Sequence, residues 1–171
     1  MSERYLAKIK FLIVDDNSFS RVMINRILKQ FGAEHVYEAS DGEDAKTAVK
    51  SFRPDIIITD WMMKPVNGME FVRWIREDKD CPAPFTPVIM VSAFSHLHNI
   101  LQARDAGINE FLAKPISAAS LLARVQAVID KPRQYVRADA YFGPDRRRRG
   151  LPHKGSDRRD EENPAVDMPT P

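Results

Sequence analysis

Four of the chain's short apolar runs end in residues that could do chemistry together. In chain order these residues are Asp15-Asp16, Asp60, Ser92 and Lys114. Clustered carboxylates raise one another's pKa unless a cation neutralises them, and Mg²⁺ prefers oxygen ligands of this kind. A neighbouring lysine and hydroxyl can share the oxygens of a phosphoryl group, while a carboxylate can attack phosphorus to form an acyl phosphate. A single Asp at a strand end is usually a turn or a helix cap, so the whole set is what indicates a site.

Those residues need a scaffold that brings the ends of the runs together. The apolar runs lie at 10–15, 35–39, 55–60, 87–93 and 110–114. Runs that are apolar throughout are typical of strands buried on both faces of a parallel sheet. Helix-like stretches follow them at 18–31, 41–52, 69–77, 97–106 and 117–130, the last with Ser117 as its expected N-cap. The alternation predicts an open, doubly wound α/β sheet, whose binding site lies at the carboxyl ends of the strands.

Several separated motifs make the chain similar to a known family. They are "FLIVDDNSFSR" (11–21), "PDIIITDWMM" (54–63) with Gly68, "VIMVSA" (88–93) and "AGINEFLAKPI" (106–116). Over about residues 8–131 the chain resembles a CheY-like receiver domain, the phosphoacceptor module of two-component response regulators. The resemblance implies a flavodoxin-like, five-stranded parallel sheet with the strand order 2-1-3-4-5.

The resemblance also implies roles for the residues at the strand ends. Asp60 would be phosphorylated, and the Mg²⁺ cofactor would be held by Asp15, Asp16, Asp60 and the backbone carbonyl of Met62.

Three further positions would respond to the phosphoryl group. Ser92 and Lys114 would bind it, Phe111 would turn inward when Ser92 moves, and Lys114 and Pro115 would be joined by a cis peptide bond.

The loop after Asp60 departs from the pattern of the family. Met63-Lys64 stands where Met-Pro is usual, and the proline follows one place later at Pro65. Met62 and Phe94 occupy positions that influence hydrolysis of the phosphoryl group in this family, and both are apolar. We therefore expect slow hydrolysis, since bulky apolar groups hinder the approach of water.

These features predict a stand-alone, cytoplasmic response regulator in a phosphorelay rather than an enzyme with turnover. A sensor histidine kinase or a phosphotransfer protein would donate the phosphoryl group, and a downstream protein would read a changed surface. Two alternatives stay open: an aspartate-nucleophile phosphohydrolase, and a DNA-binding regulator acting through the basic end of the chain. The first usually has a second Asp two residues after the nucleophile, where this chain has Met62.

The sequence changes character after the receiver-like part, so we divide it into a domain at 1–131 and a tail at 132–171. Residues 1–130 carry a net charge of −1 and residues 131–171 one of +3, with six of the twelve prolines. Few large apolar residues follow 131, so we expect a largely irregular, disordered or partner-binding tail.

A short motif is repeated within this tail. Gly-x-Asp-Arg-Arg occurs at 143–147 and again at 155–159. Its planar guanidinium groups suit carboxylates or phosphates. The candidate interaction residues are Arg146, Arg147, Arg148, Arg149, Arg158 and Arg159. The tail is too short for a DNA-recognition domain and lacks the arginine spacing of a cyclic-dinucleotide site. We therefore expect docking to a protein or a solvated segment, without specific nucleic-acid recognition.

The remaining composition bears on the compartment. Cys81 is the only cysteine, which is consistent with a reducing cytoplasm. No apolar run approaches the roughly 20 residues of a membrane helix, so we expect no membrane partner.

Overall fold

Five parallel strands form the centre of the protein, in the order β2-β1-β3-β4-β5, so β2 and β5 are the edge strands. The computed structural model describes residues 6–146. The strands are β1 (Lys10–Val14), β2 (His35–Ala39), β3 (Ile56–Asp60), β4 (Val88–Ser92) and β5 (Glu110–Ala113). The helices are α1 (Ser18–Gln30), α2 (Gly42–Phe52), α3 (Gly68–Glu77), α4 (Leu97–Asp105) and α5 (Ala118–Asp130). The predicted fold class and strand order are confirmed.

The sheet is covered on both faces, which explains the continuous apolar runs. Every residue of β3 and β4 is buried. One hydrophobic cluster packs residues of α2 and α3 against one face, and a second packs residues of α1 and α5 against the other. Burial on both faces leaves no polar alternation in these strands.

Local capping fixes where several helices begin. The side chain of Asn17 accepts hydrogen bonds from Phe19 and Ser20 N–H groups, and Asp41 does the same for α2. Ser117 caps α5, as predicted, by accepting from the N–H of Ser120. Such side chains satisfy backbone donors that have no partner in the first turn.

The chain after α5 contains an antiparallel hairpin of β6 (Tyr135–Ala138) and β7 (Tyr141–Pro144). Tyr135 and Phe142 are buried and form edge-to-face contacts with Phe85, with ring centroids 5.4 and 5.5 Å apart. The hairpin is thus an ordered part of a segment that we expected to be largely irregular, and it forms because its aromatic side chains reach a core that is remote in sequence. Residues 147–171 lie outside the described part of the chain.

A buried arginine joins the hairpin to the main domain. Arg76 donates from Nε to the carbonyl of Gly107 at 3.0 Å and from Nη1 to those of Pro84 and Thr86 at 2.7 and 2.9 Å. Its guanidinium also lies 5.2 Å from the ring centroid of Tyr135. Burial lowers the pKa of Arg76 from its usual value. The charge is thus held by carbonyl dipoles from two segments of the chain, the loop at 84–86 and the turn at Gly107.

Two glycines allow the hairpin to come this close. A Cβ on Gly143 would lie 3.0 Å from the Cα of Gly107 and 2.7 Å from the hydroxyl oxygen of Tyr141. Gly107 itself has a φ of 98°, a conformation that side-chain-bearing residues rarely adopt. The first copy of the repeated motif therefore begins at a point of close backbone contact.

Within residues 6–146, no helix combines the length and the apolar character needed to cross a membrane.

Candidate functional site

Three carboxylates meet at the carboxyl ends of β1 and β3. Asp60 ends β3, and Asp15 and Asp16 follow β1 directly. Each offers an oxygen, and these oxygens all lie within 4.8 Å of one another. Asp15 and Asp60 are only 1% and 7% exposed, whereas Asp16 is exposed. Parallel register produces this grouping, since Val14 lies beside Thr59 in adjacent strands.

Lys114 brings a cation to the two buried carboxylates. Its Nζ lies 3.1 Å from an oxygen of Asp60 and 3.2 Å from one of Asp15. The residue follows β5, and the Lys114–Pro115 peptide bond is cis. Its backbone N–H donates to the carbonyl of Ser92 at 2.9 Å, which ties the lysine to the end of β4.

Burial and the ion pair between Asp60 and Lys114 have opposite effects on the pKa values of these two residues. Burial raises the pKa of Asp60 above its usual range, the hydrogen bond and ion pair with Lys114 oppose the rise, and the charge of Asp15 adds to it. Burial alone would lower the pKa of Lys114, but its contacts with Asp60 and Asp15 raise it on balance. The ion pair with Lys114 therefore stabilises the ionised form of Asp60 against the effect of burial.

Two residues without an assigned role in the sequence analysis hold Asp15 in place. The backbone N–H of Asn17 donates to Oδ1 of Asp15 at 2.8 Å, and Nη1 of Arg21 donates to its backbone carbonyl at 2.7 Å. The sequence offered one signal, since both residues lie in the motif at 11–21. Asn17 immediately precedes α1, and Arg21 lies in its first turn. Their contacts fix the orientation of a side chain that the cluster needs.

The other predicted switch residues lie next to the cluster in the sheet. Ser92 is buried at the end of β4, and its Oγ accepts a hydrogen bond from the N–H of Phe94 at 3.0 Å. Phe111 is half-buried on β5, beside Met90 in the register. Their movement on phosphorylation stays a prediction.

The loop after Asp60 is held close to the strand end by Gly68. A Cβ on Gly68 would lie 2.1 Å from the carbonyl oxygen of Asp60, and the Gly68 N–H donates to the carbonyl of Trp61 at 2.9 Å. The unusual Lys64–Pro65 step is a second cis peptide bond. Met62 points outward, with 58% of the residue exposed. The altered motif thus forms a closed loop that leaves an apolar side chain at the rim.

The donor set fits a hard divalent cation. Three carboxylates within reach of one ion supply the oxygen ligands that Mg²⁺ prefers.

Of the predicted tail contacts, only that of Arg146 falls in the described part of the chain. Its guanidinium lies 3.4 Å from Asp105 and 4.0 Å from the ring centroid of Tyr141. The other candidates, Arg147, Arg148, Arg149, Arg158 and Arg159, lie outside the described residues.

Comparisons with known proteins agree with this geometry. Residues 11–126 match the family described as the response regulator receiver domain. The chain is 32% identical to chemotaxis protein CheY-3 of Vibrio cholerae over 123 residues, which span 72% of this chain and 93% of that protein. Two solved structures are also similar. CheY4 of Vibrio cholerae has a TM-score of 0.64 at 31% identity, covering 70% of this chain and 98% of that one. A CheX–CheY–BeF3–Mg+2 complex from Borrelia burgdorferi has a TM-score of 0.65 at 30% identity, covering 71% and 89%.

Proposed function

This chain belongs to the response regulator receiver domain family, and on that premise we propose that it accepts a phosphoryl group on Asp60 and signals through a protein surface. The observation that carries the proposal is the position of Asp60. Its carboxylate is buried at a strand end, is paired with Lys114 at 3.1 Å, and shares a 4.8 Å cluster with Asp15 and Asp16. A buried carboxylate beside a fixed cation is arranged as a nucleophile for an anionic group.

In the proposed transfer, a phosphohistidine on a sensor kinase or phosphotransfer protein is the donor. An Asp60 carboxylate oxygen attacks phosphorus, a P–O bond replaces the P–N bond, and the imidazole nitrogen leaves with the electron pair and takes a proton. Lys114 stabilises the charge that collects on the phosphoryl oxygens. Ser92 would exchange its contact with the Phe94 N–H for a hydrogen bond donated to one of those oxygens.

The same residues suit a magnesium ion. Asp15, Asp16, Asp60 and the backbone carbonyl of Met62 would hold it, and when bound it supplies positive charge to the phosphoryl oxygens. The composition of the Borrelia burgdorferi complex, which includes Mg+2, supports this choice of metal.

Labelling with phosphate tests the proposal. The full chain would be incubated with a phosphorylated donor or a small acyl phosphate, with Mg²⁺ or with EDTA. We expect acid-labile and hydroxylamine-labile phosphate on the wild type and on the surface control Asp80→Asn, and none on Asp60→Ala or Asp60→Asn. Phosphate that persists in the Asp60 variants would rule out Asp60 as the acceptor.

The phosphohydrolase alternative receives no support from the loop geometry. Its acid or base would stand two residues after Asp60, where the exposed thioether of Met62 can neither donate nor accept a proton. A steady-state release of phosphate at many turnovers per molecule would contradict this reading.

A further inference from the structure

Arg21 of α1 contacts the backbone of Asp15 at the point where the pairing of two strands ends. The register of β1 with β2 ends at Val14 and Ala39, and the N–H of Asp15 still donates to the carbonyl of Ala39 at 3.2 Å. The carbonyl of Asp15 lies beyond this last pair, and it accepts from Nη1 of Arg21 at 2.7 Å. The guanidinium thus serves a backbone acceptor at the end of the sheet.

Both carboxylate oxygens of Asp15 also have a donor. Oδ1 accepts from the N–H of Asn17 at 2.8 Å, and Oδ2 lies 3.2 Å from Nζ of Lys114. Together with the carbonyl, three acceptor atoms of one buried residue are each held by a different residue. Each carboxylate oxygen has a further lone pair, so Asp15 can ligate a metal ion while it keeps these contacts. The orientation of Asp15 towards Asp60 therefore depends in part on where Arg21 is held.

Glu38 of the edge strand β2 holds this guanidinium. Its Oε2 lies 3.1 Å from Nε of Arg21, and its Oε1 accepts from Nδ2 of Asn25 at 2.8 Å. Arg21 and Asn25 are four residues apart and so lie on the same face of α1. One carboxylate therefore fixes two side chains of the helix. Its negative charge also offsets that of Arg21, which reduces the repulsion between this arginine and a cation at the acidic cluster.

We propose that Arg21 is a positioning residue for the magnesium site and that Glu38 acts through Arg21. The role deepens the proposed function and rests on it, since the metal there serves phosphoryl transfer. Arg21 contacts the backbone of Asp15 and leaves its carboxylate oxygens to the cluster. The side chains of Arg21 and Glu38 are 19% and 32% exposed, so the pair is partly shielded from water and salt.

Titration calorimetry of the full chain with MgCl2 measures this role without a phosphoryl donor. Arg21→Met keeps an apolar side chain at this position and removes its hydrogen-bond donors. We expect the Kd for Mg²⁺ to rise about tenfold, as is usual when a residue that orients a metal ligand is removed. Arg21→Lys restores the charge and a donor group, and it should recover part of the affinity.

A combination of two variants tests whether Glu38 acts through Arg21. Glu38→Gln alone should raise the Kd about threefold, since the arginine loses its counter-charge and repels the ion. In Arg21→Met/Glu38→Gln the Kd should equal that of Arg21→Met, because no guanidinium is left for Glu38 to hold. Weaker binding by the double variant than by Arg21→Met would show that Glu38 acts independently.

Arg124→Met is the matched control. Arg124 likewise joins a helix to a strand, since its Nη1 lies 3.2 Å from Glu110, and Glu110 keeps Arg133 as a second partner. This variant should leave the Kd for Mg²⁺ unchanged. Thermal unfolding of each variant in EDTA shows how much stability is lost with an ion pair, apart from any change in metal binding.

Phosphorylation by a small acyl phosphate is measured on the same samples. In Arg21→Met the rate should fall at limiting Mg²⁺. At saturating Mg²⁺ it should return to within about twofold of the wild-type rate, because the substitution weakens metal binding without removing a reacting group. A residue that only packs α1 against the sheet would not produce this dependence on the metal concentration.

Four outcomes would overturn the role of Arg21. They are no binding of Mg²⁺ to the wild type, an unchanged Kd in Arg21→Met, an equal rise in Arg21→Met and Arg124→Met, or a loss of rate that saturating Mg²⁺ does not restore. Phosphate on Asp60 with an unchanged Kd in Arg21→Met refutes the role of Arg21 alone. A raised Kd in Arg21→Met without phosphate on wild-type Asp60 refutes the proposed function alone.

Discussion

The burial of Asp60 suits the proposed phosphoryl transfer but lowers the stability of the folded protein. Its carboxylate is buried next to Asp15, and Lys114 is the cation that it contacts at 3.1 Å. Because burial raises the pKa of Asp60, the folded protein holds the ionised form less favourably than the unfolded chain does. A neutral side chain of the same shape would remove that cost.

Asp60→Asn should therefore be more stable than the wild type at neutral pH without Mg²⁺. We expect its midpoint of thermal unfolding to rise by a few degrees, as one buried charge is lost and Lys114 keeps Asp15 as its partner. Because the pKa of Asp60 is raised in the folded state, the loss of stability caused by its ionised form is fully present above that pKa. The loss disappears as the pH falls below the ordinary pKa range of aspartate. Unfolding in EDTA at several pH values measures this, and an advantage that grows at low pH would contradict it.

Addition of Mg²⁺ should reverse this difference in stability, so that the wild type becomes more stable than Asp60→Asn. A cation that binds only the folded state adds stability in proportion to the logarithm of its concentration over Kd. The wild type offers three carboxylates and Asp60→Asn only two, so Mg²⁺ should raise the unfolding midpoint of the wild type more. Equal shifts in both proteins would place the ion elsewhere.

Met62 should control how long the phosphoryl group survives. Its exposed thioether at the rim cannot orient water, so we expect slow hydrolysis in the wild type and loss about ten times faster in Met62→Asn, whose amide can position a water molecule. Decay of acid-labile phosphate in purified protein gives the rate. Val22→Asn, at an exposed position on α1, is the matched control. A short lifetime that Met62→Asn leaves unchanged would contradict the prediction.

Among the elements, the hairpin is the one that the family fold does not require. It buries Tyr135 and Phe142 against Phe85, and it places an aromatic ring over the buried Arg76. Burial of each aromatic contributes roughly 1.5–3 kcal/mol. The hairpin is thus part of the domain's packing.

A chain that ends at residue 131 should be less stable than one that ends at residue 146. We expect a loss of roughly 3 kcal/mol in urea unfolding, since two buried aromatics and a partner of Arg76 are removed. Gly143→Val should reproduce part of the loss in the full chain, because its side chain would collide with Gly107. Equal stability of the two shortened chains would mean that the hairpin contributes little.

The strands and the grouping of their ends could be predicted, since both follow from local pattern. Runs such as 55–60 are apolar because both faces are covered, and parallel register then brings Asp15, Asp60 and Lys114 together. The contacts that orient Asp15 could not be predicted from spacing alone. The reach of Arg21 to a backbone carbonyl depends on how α1 packs on the sheet.

The hairpin could not be predicted for a related reason. Its strands have four residues each, and the second ends in Gly143-Pro144, a pair that is typical of turns. What holds it is tertiary: a ring contact with Phe85, the Arg76 guanidinium and the backbone of Gly107. None of these partners is near in the sequence.

At the scale of the whole molecule, β5 connects the end of the sheet that carries the carboxylate cluster with the end at which the hairpin packs. Lys114 and Ser92 stand at the carboxyl ends of the strands, whereas the hairpin docks near their amino ends, where Asn109 accepts from the N–H of Val88 at 3.0 Å. A cavity of about 540 Å³ lies between the two ends and is lined by residues from both, Ser95 and Ala113 on one side and Arg133 and Arg146 on the other. Only the four residues of β5 therefore separate Lys114 from the end of the sheet at which the hairpin docks.

The position of β5 at the edge of the sheet has a consequence for solubility. An edge strand presents unpaired backbone groups that can recruit another strand and start aggregation, and charged side chains along the edge oppose such pairing. Beside this edge strand lies a cavity lined by residues of β5 and by four arginines, Arg104, Arg124, Arg133 and Arg146. They should oppose such pairing, and light scattering of concentrated Arg104→Gln/Arg146→Gln protein should reveal the loss of this protection.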